Sequence, residues 1–245
     1  MPSQLKMRAV LTISLAAAYL QACNFPSAAH PGPTPRGLPT ATLPATIEPL
    51  PIANQYLTDV TPVSYDPFDN MANWNFRSET GTLANGEFQL VGTARWQSSF
   101  WPKQQFTDGQ GLAIRFIVQR ANAQSELVLV TGDWHTDTFR QFGVYNAVLP
   151  KGDLFMGTMD LGGYDINGNL HMLSNTWYEL LLAVGRNGKF LAVVWNPDDE
   201  TQRAIFDVVA GPNWAGRSWV FLPKANESEG MTFDDFYRFS FGDIK

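Results

Sequence analysis

Cysteine is nearly absent from this 245-residue chain. The single thiol, Cys23, excludes an intramolecular disulfide, a thiolate zinc cluster and a cysteine-held iron-sulfur site. Charge is scarce as well: 16% of residues are Asp, Glu, Lys or Arg, and 17 Lys+Arg stand against 23 Asp+Glu, a net charge of -6. Nonspecific nucleic-acid binding needs clustered Lys and Arg to neutralise phosphates, so nucleic acid is set aside as a partner. No Gly-x-Ser-x-Gly elbow occurs, which removes one common nucleophile. Apolar residues, by contrast, make up 44% of the chain and aromatics 13%, enough for one full core.

The N-terminus carries an export pattern. Lys6 and Arg8 precede an apolar stretch from Val10 to Leu20, which is short for a membrane span and suits a signal-peptide core. Leu20-Gln21-Ala22-Cys23 then resembles the bacterial lipoprotein signal, although Gln21 is less usual there than a small residue. That resemblance implies a signal peptide over residues 1–22, lipidation of Cys23, and an extracytoplasmic protein lipid-anchored to a bacterial membrane. The alternative is an incidental thiol after an ordinary cleavage site. Removing residues 1–22 takes away Lys6 and Arg8 and no acidic residue, so attachment to a membrane must come from lipid, not from a basic patch. Residues 23–55 are rich in Pro, Ala and Thr, a composition that stays extended, and they read as a tether to a domain over 56–245.

Within that domain, short alternating or apolar runs recur between Gly, Asn, Asp and Pro clusters, and no stretch keeps a long helical period. The pattern predicts an all-β sandwich or barrel, with strands such as Glu87–Val91, Arg95–Trp101, Leu170–Leu173, Trp177–Val184 and Lys189–Asn196. Asn85-Gly86, Asn167-Gly168 and Asn187-Gly188 offer the positive φ angles of type I′ turns. With Asn187-Gly188 as a two-residue turn, Arg186 faces Lys189, and counting outward pairs Val184 with Leu191, Leu182 with Val193 and Leu180 with Trp195. Those six residues are the predicted core face. The other face is also mostly apolar, which predicts a central strand pair covered on both sides.

Asp66-Pro67-Phe68-Asp69 with Trp74, the turn before Glu87-Phe88-Gln89-Leu90, Trp177-Tyr178, and Phe233-Asp234-Asp235-Phe236-Tyr237-Arg238-Phe239 resemble the concanavalin A-like group of lectin, laminin-G and glucanase sandwiches. The resemblance covers roughly Asp66 to Gly242. It implies a two-sheet antiparallel jelly roll and carbohydrate recognition, and it names no sugar.

Glucanases of that group carry Glu-x-Asp-x-Glu on one strand, because alternation puts all three carboxylates on one face. The nearest match, Asn196-Pro197-Asp198-Asp199-Glu200, lacks the first glutamate and contains a proline, so it reads as a solvated loop. Glu126, Asp133 and Glu179 remain as carboxylates for a glycoside hydrolase-like alternative, unpaired by anything in the sequence. His171 reads as a structural histidine in a strand. A sugar site needs indole or phenol rings beside amides and carboxylates. Trp101, Trp134, His135, Tyr164 and Gln97 offer that mixture, and alternation groups Arg95, Gln97, Ser99 and Trp101 on one face. No cofactor is required. Asp69, Asp234 and Asp235 are candidate ligands for a structural calcium, with turn-capping aspartates as the alternative; adjacent Asp234 and Asp235 reach one ion only if a bulge intervenes. The leading expectation is therefore a surface-anchored, noncatalytic carbohydrate-binding or cell-surface recognition protein, whose partners are a membrane, through lipid, and a polysaccharide or surface glycan. A glycoside-processing hydrolase and a structural or adhesion domain without a sugar site stand as alternatives.

Overall fold

The computed structural model describes residues 51–76, 81–91, 98–119, 125–133, 138–146, 154–158, 163–165, 170–209, 214–225 and 230–245. Among the described residues a short helix α1 (Ala53–Tyr56) precedes fifteen strands: β1 (Thr61–Asp66), β2 (Trp74–Phe76), β3 (Gly81–Ala84), β4 (Glu87–Val91), β5 (Ser98–Pro102), β6 (Gln110–Val118), β7 (Ser125–Asp133) and β8 (Thr138–Asn146). They continue with β9 (Leu154–Thr158), β10 (Gly163–Asp165), β11 (Trp177–Val184), β12 (Lys189–Asn196), β13 (Asp199–Val209), β14 (Val220–Ala225) and β15 (Gly230–Ser240). Two antiparallel sheets result. The first runs β13-β12-β11-β6-β15-β4-β3, with β1 also on β15; the second runs β10-β9-β8-β7-β14-β5-β2.

Alternation explains the layering. Leu112, Ile114 and Phe116 of β6 and Leu180 and Leu182 of β11 meet Leu127 and Leu129 of β7, Phe142 of β8 and Phe221 of β14 in one buried core between the sheets. At one end of that core, Asp66 closes β1. Its carboxylate accepts hydrogen bonds from Phe68 N at 2.9 Å and Trp74 Nε1 at 3.0 Å. Those bonds hold Trp74 against Phe68 and Phe100, with ring centroids 5.1 and 5.0 Å apart. The Asp66-to-Trp74 motif is thus a clamp on core aromatics.

The two Asn-Gly turns among the described residues form, and one shifts its register. Asn85 and Gly86 have φ of 57° and 80° between paired Ala84 and Glu87, a two-residue hairpin. Asn187 and Gly188 also have positive φ, at 58° and 75°. There, however, Gly185 N donates to Lys189 O at 2.8 Å, so Gly185 as well as Arg186 faces Lys189 and the loop holds three residues. Val184 therefore pairs with Phe190, Leu182 with Ala192 and Leu180 with Val194. The predicted pairing of Val184 with Leu191, Leu182 with Val193 and Leu180 with Trp195 is one residue out. Phe190 supplies the reason: it enters the inter-sheet core against Phe142 at 4.8 Å and Trp219 at 4.9 Å, which Leu191 in its place would not fill. Asn167-Gly168 lies outside the described residues.

Leu191, Val193 and Trp195 instead join Leu181 and Ala183 on the outer face of the first sheet, where Ile52, Ala53, Leu57 and Ile244 cover them. Both faces of the β11-β12 pair are thereby buried. The expected domain start at Tyr56 falls inside this packed segment, since Ile52 and Ala53 are already buried. Leu170–Leu173 is not a strand: Leu170 and Met172 turn into the core, while Leu173 N is held by the Tyr178 hydroxyl at 2.8 Å and His171 is exposed. Asn196 and Asp199 flank a tight Pro197-Asp198 turn, in keeping with a solvated loop.

Candidate functional site

On the second sheet, Phe100, Leu127, Leu129 and Phe221 face the core, so their strand neighbours Ser99, Trp101, Val128, Val130 and Leu222 face outward. Register then sets two cross-strand rows on that outer side. In one, Ser99 of β5 pairs with Lys224, Lys224 with Glu126, Glu126 with Tyr145, and Tyr145 with Phe155. In the next, Leu222 pairs with Val128, Val128 with Gly143, Gly143 with Gly157, and Gly157 with Tyr164. Trp101, two residues beyond Ser99 on β5, stands at the opposite end of this second row from Tyr164. Five interstrand steps separate them, about 24 Å along the sheet at ~4.8 Å per strand.

The chemistry of these rows is mixed. Val128, Val130 and Leu222 are fully buried on the outer side, with the partly buried indole of Trp101 packed against them. Beside them, Lys224 Nζ donates to Glu126 Oε2 at 2.9 Å, the two side chains only 13% and 15% exposed. Ser99 is buried, and among the described residues its hydroxyl has no hydrogen-bond partner. Two successive glycines, Gly143 and Gly157, continue the second row across β8 and β9. Of the sequence-predicted ligand residues, Trp101 and the backbone of Tyr164 thus fall in one row. Trp134 and His135, between β7 and β8, and Gln97, just before β5, lie outside the described residues.

No family model matches the sequence, and no curated protein does. Solved structures do. A Lotus tetragonolobus seed lectin superposes with a TM-score of 0.53 at 10% identity, over 75% of this chain and 100% of the lectin. The CBM2 module of the evolved Dit of Lactobacillus casei BL23 phage J-1 gives 0.52 at 8% identity, over 78% and 98%. The exoplasmic/lumenal domain of VIP36, in a Ca2+/Man3GlcNAc-bound form, gives 0.50 at 14% identity, over 72% and 87%. The fold is a concanavalin A-like sandwich.

In this concanavalin A-like sandwich the three aspartates suggested for calcium do not converge. Among the described residues no group of three or more His, Cys, Asp or Glu could hold a metal ion. Asp69 is exposed in the loop after β1. The bulge required at Asp234 and Asp235 does exist: the β15 register shifts between Asp234 and Tyr237, and Asp235 has a φ of 48°. It turns Asp235 toward protein partners instead. Tyr65 Oη donates to Asp235 Oδ1 at 2.5 Å, Arg115 Nη1 stands 3.9 Å from Oδ2, and Asp235 N donates to Asp234 Oδ1 at 2.8 Å. Burial, then the Asp235 carboxylate, push the Tyr65 phenol far above its ordinary range. Tyr65 also stacks on Tyr237 at 4.7 Å, and Arg115 lies 4.8 Å over Trp177. Nothing in the sequence signals this network, whose members come from β1, β6, β11 and β15.

The carboxylates considered for hydrolysis are dispersed. Glu126 is bound to Lys224 on the second sheet, while Glu179 pairs with Arg115 in the ladder of the first. Asp133 is seven residues from Glu126 on β7, about 23 Å at ~3.3 Å per residue. Retaining and inverting mechanisms place their carboxyl pairs within about 10 Å, so Glu126 and Asp133 do not make such a pair.

Proposed function

We propose that this chain is a surface-anchored lipoprotein whose sandwich domain binds a polysaccharide or cell-surface glycan along the outer face of its second sheet, without processing it. The observation that carries the proposal is the row from Trp101 across Gly143 and Gly157 to Tyr164, flanked by the Lys224–Glu126 pair. Sugars offer apolar C–H faces to an indole and hydroxyls to charged and amide groups. The likeness to a seed lectin supports the reading. Anchoring rests on the Leu20-to-Cys23 motif.

Affinity electrophoresis of the full chain through gels containing a panel of soluble polysaccharides tests the proposal. At least one polysaccharide should retard the wild type, and Trp101→Ala should weaken that retardation about tenfold, the worth of one well-stacked ring. Retardation unchanged in Trp101→Ala and Tyr164→Ala alike would move the site elsewhere, and release of reducing sugar from the panel would replace the proposal with a hydrolase. Calcium enters as a structural ion only, on the likeness to the Ca2+-bound VIP36 domain. EDTA lowering the unfolding midpoint supports it; an unchanged midpoint removes it.

A further inference from the structure

A cavity of about 350 Å³ opens at the edge of the sandwich, bounded by β1, by Trp74 of β2, by Lys103 just after β5 and by Arg238 of β15. None of these residues belongs to the second-sheet rows. Arg238 is the unusual wall. Beyond the β15 bulge it turns inward, opposite Ser64 in the ladder, and is only 6% exposed. Its guanidinium lies 4.3 Å over the Phe106 ring, and its Nη2 donates to Gln105 O and to Gln110 Oε1. Both acceptors are neutral, and among the described residues no carboxylate forms an ion pair with it.

A buried charge with no counter-ion is costly, and an apolar side chain of similar length would avoid the cost. The cavity in front of Arg238 is where a counter-ion can enter. The other charged groups there set which one. Lys103 is exposed at the mouth, its Nζ held by Ala72 O at 2.6 Å. Asp66 also lines the space, but its oxygens already accept from Phe68 N, Trp74 Nε1 and Asn73 Nδ2. Two cations against one satisfied carboxylate leave a net charge of +1, which a single added carboxylate neutralises. The volume matches one small ring, and the hydroxyl and amide groups of Ser64, Asn73 and Gln104 on the same wall suit its hydroxyls.

We propose that this cavity binds the carboxylate of a sugar acid, with Arg238 as the fork that pairs with it and Lys103 as the cation at the rim. A planar guanidinium fixed on three sides is preorganised for such bidentate pairing. The site stands independently of the second-sheet face.

Thermal unfolding of the full chain, titrated at constant ionic strength with sodium glucuronate, glucose, acetate or phosphate, tests it. Glucuronate should raise the unfolding temperature saturably, acetate and phosphate more weakly, and glucose not at all. Lys103→Gln, at an exposed position, should weaken the glucuronate response about fivefold. Arg238→Met should abolish it without lowering the ligand-free midpoint, because a burdened charge has been removed. The proposal is overturned if glucuronate acts no differently from glucose, or if Lys103→Gln responds as wild type does. Acetate equal to glucuronate would overturn the sugar part. Should Arg238→Met fail to fold, Lys103→Gln and the ligand series still decide.

Discussion

Removing the charge of Glu126 should destabilise the fold, and removing both Glu126 and Lys224 should not. Their side chains are 13% and 15% exposed and meet at 2.9 Å beside the fully buried Val128 and Leu222. At an effective dielectric of ~20, two unit charges at that separation attract by about 6 kcal/mol. Desolvation of both ions takes back most of it, so the pair as a whole is near neutral against an apolar pair. Glu126→Gln keeps the cost of burying the ammonium and loses the attraction, a net loss of about 2–3 kcal/mol. Urea unfolding followed by tryptophan fluorescence should show the midpoint falling by about 1 M, given an m-value of ~2–3 kcal/mol/M. Glu126→Leu with Lys224→Met should unfold within ~0.4 M of wild type. The same double variant should lose polysaccharide retardation, which separates recognition from stability. A Glu126→Gln midpoint equal to wild type would refute the reasoning, because the outer row would then be ordinary wetted surface.

Gly188→Val forces a β-branched residue to a φ of 75° and should cost about 1–3 kcal/mol in the same assay. Gly216→Ala, with φ +70° and nothing within 4 Å of the added Cβ, isolates the backbone penalty at about 1 kcal/mol; Gly188→Val costing less would argue against the turn. Burial raises the Glu179 carboxyl above its ordinary range, offset in part by Arg115. The folded state then holds that proton more tightly than the unfolded state, so this contribution to stability is lost as pH rises from the ordinary glutamate range through the raised one. Glu179→Gln should therefore gain more relative to wild type at pH 7 than at pH 4, and equal gains at both would contradict the shift. Cys23→Ser should release the protein from membranes or leave its precursor unprocessed, as cell fractionation would show; a membrane-bound, processed variant would end the lipoprotein reading.

What the sequence made legible was local. Glu87–Val91, Trp177–Val184 and Lys189–Asn196 have the predicted bounds, because each is a clear run between turn residues. β1 escaped notice: it is an edge strand on one half of β15, partly wet and carrying Pro62, so it has no clean alternation. The β11-β12 register slipped because a single extra residue at Gly185 leaves no mark in composition, yet it exchanges the faces of every following side chain. Site residues divide in the same way. Alternation along β5 correctly grouped Ser99 with Trp101, opposite Phe100. Lys224 was invisible as the partner of Glu126, since 98 residues separate them and only the β7-β14 pairing joins them. Asp234 and Asp235 looked like free ligands until Tyr65, 170 positions away, supplied the hydroxyl that occupies one of them.

The packing of residues 52–58 and 243–245 against one another beside the first sheet has a mechanical consequence. Leu57 bridges Ile244, Lys245 N donates to Tyr56 O, Thr58 N to Asp243 O, and Lys245 Nζ to Asn54 O. A pull arriving along the N-terminal segment is therefore taken up by a clasp between the first and last residues of the domain, and passes from there into β15 and the middle of the first sheet. The rows of the second sheet lie across the core from that load. Traction on the N-terminal segment would strain the clasp before it deformed the surface carrying Trp101, so such a load and that surface belong to different layers of the same sandwich.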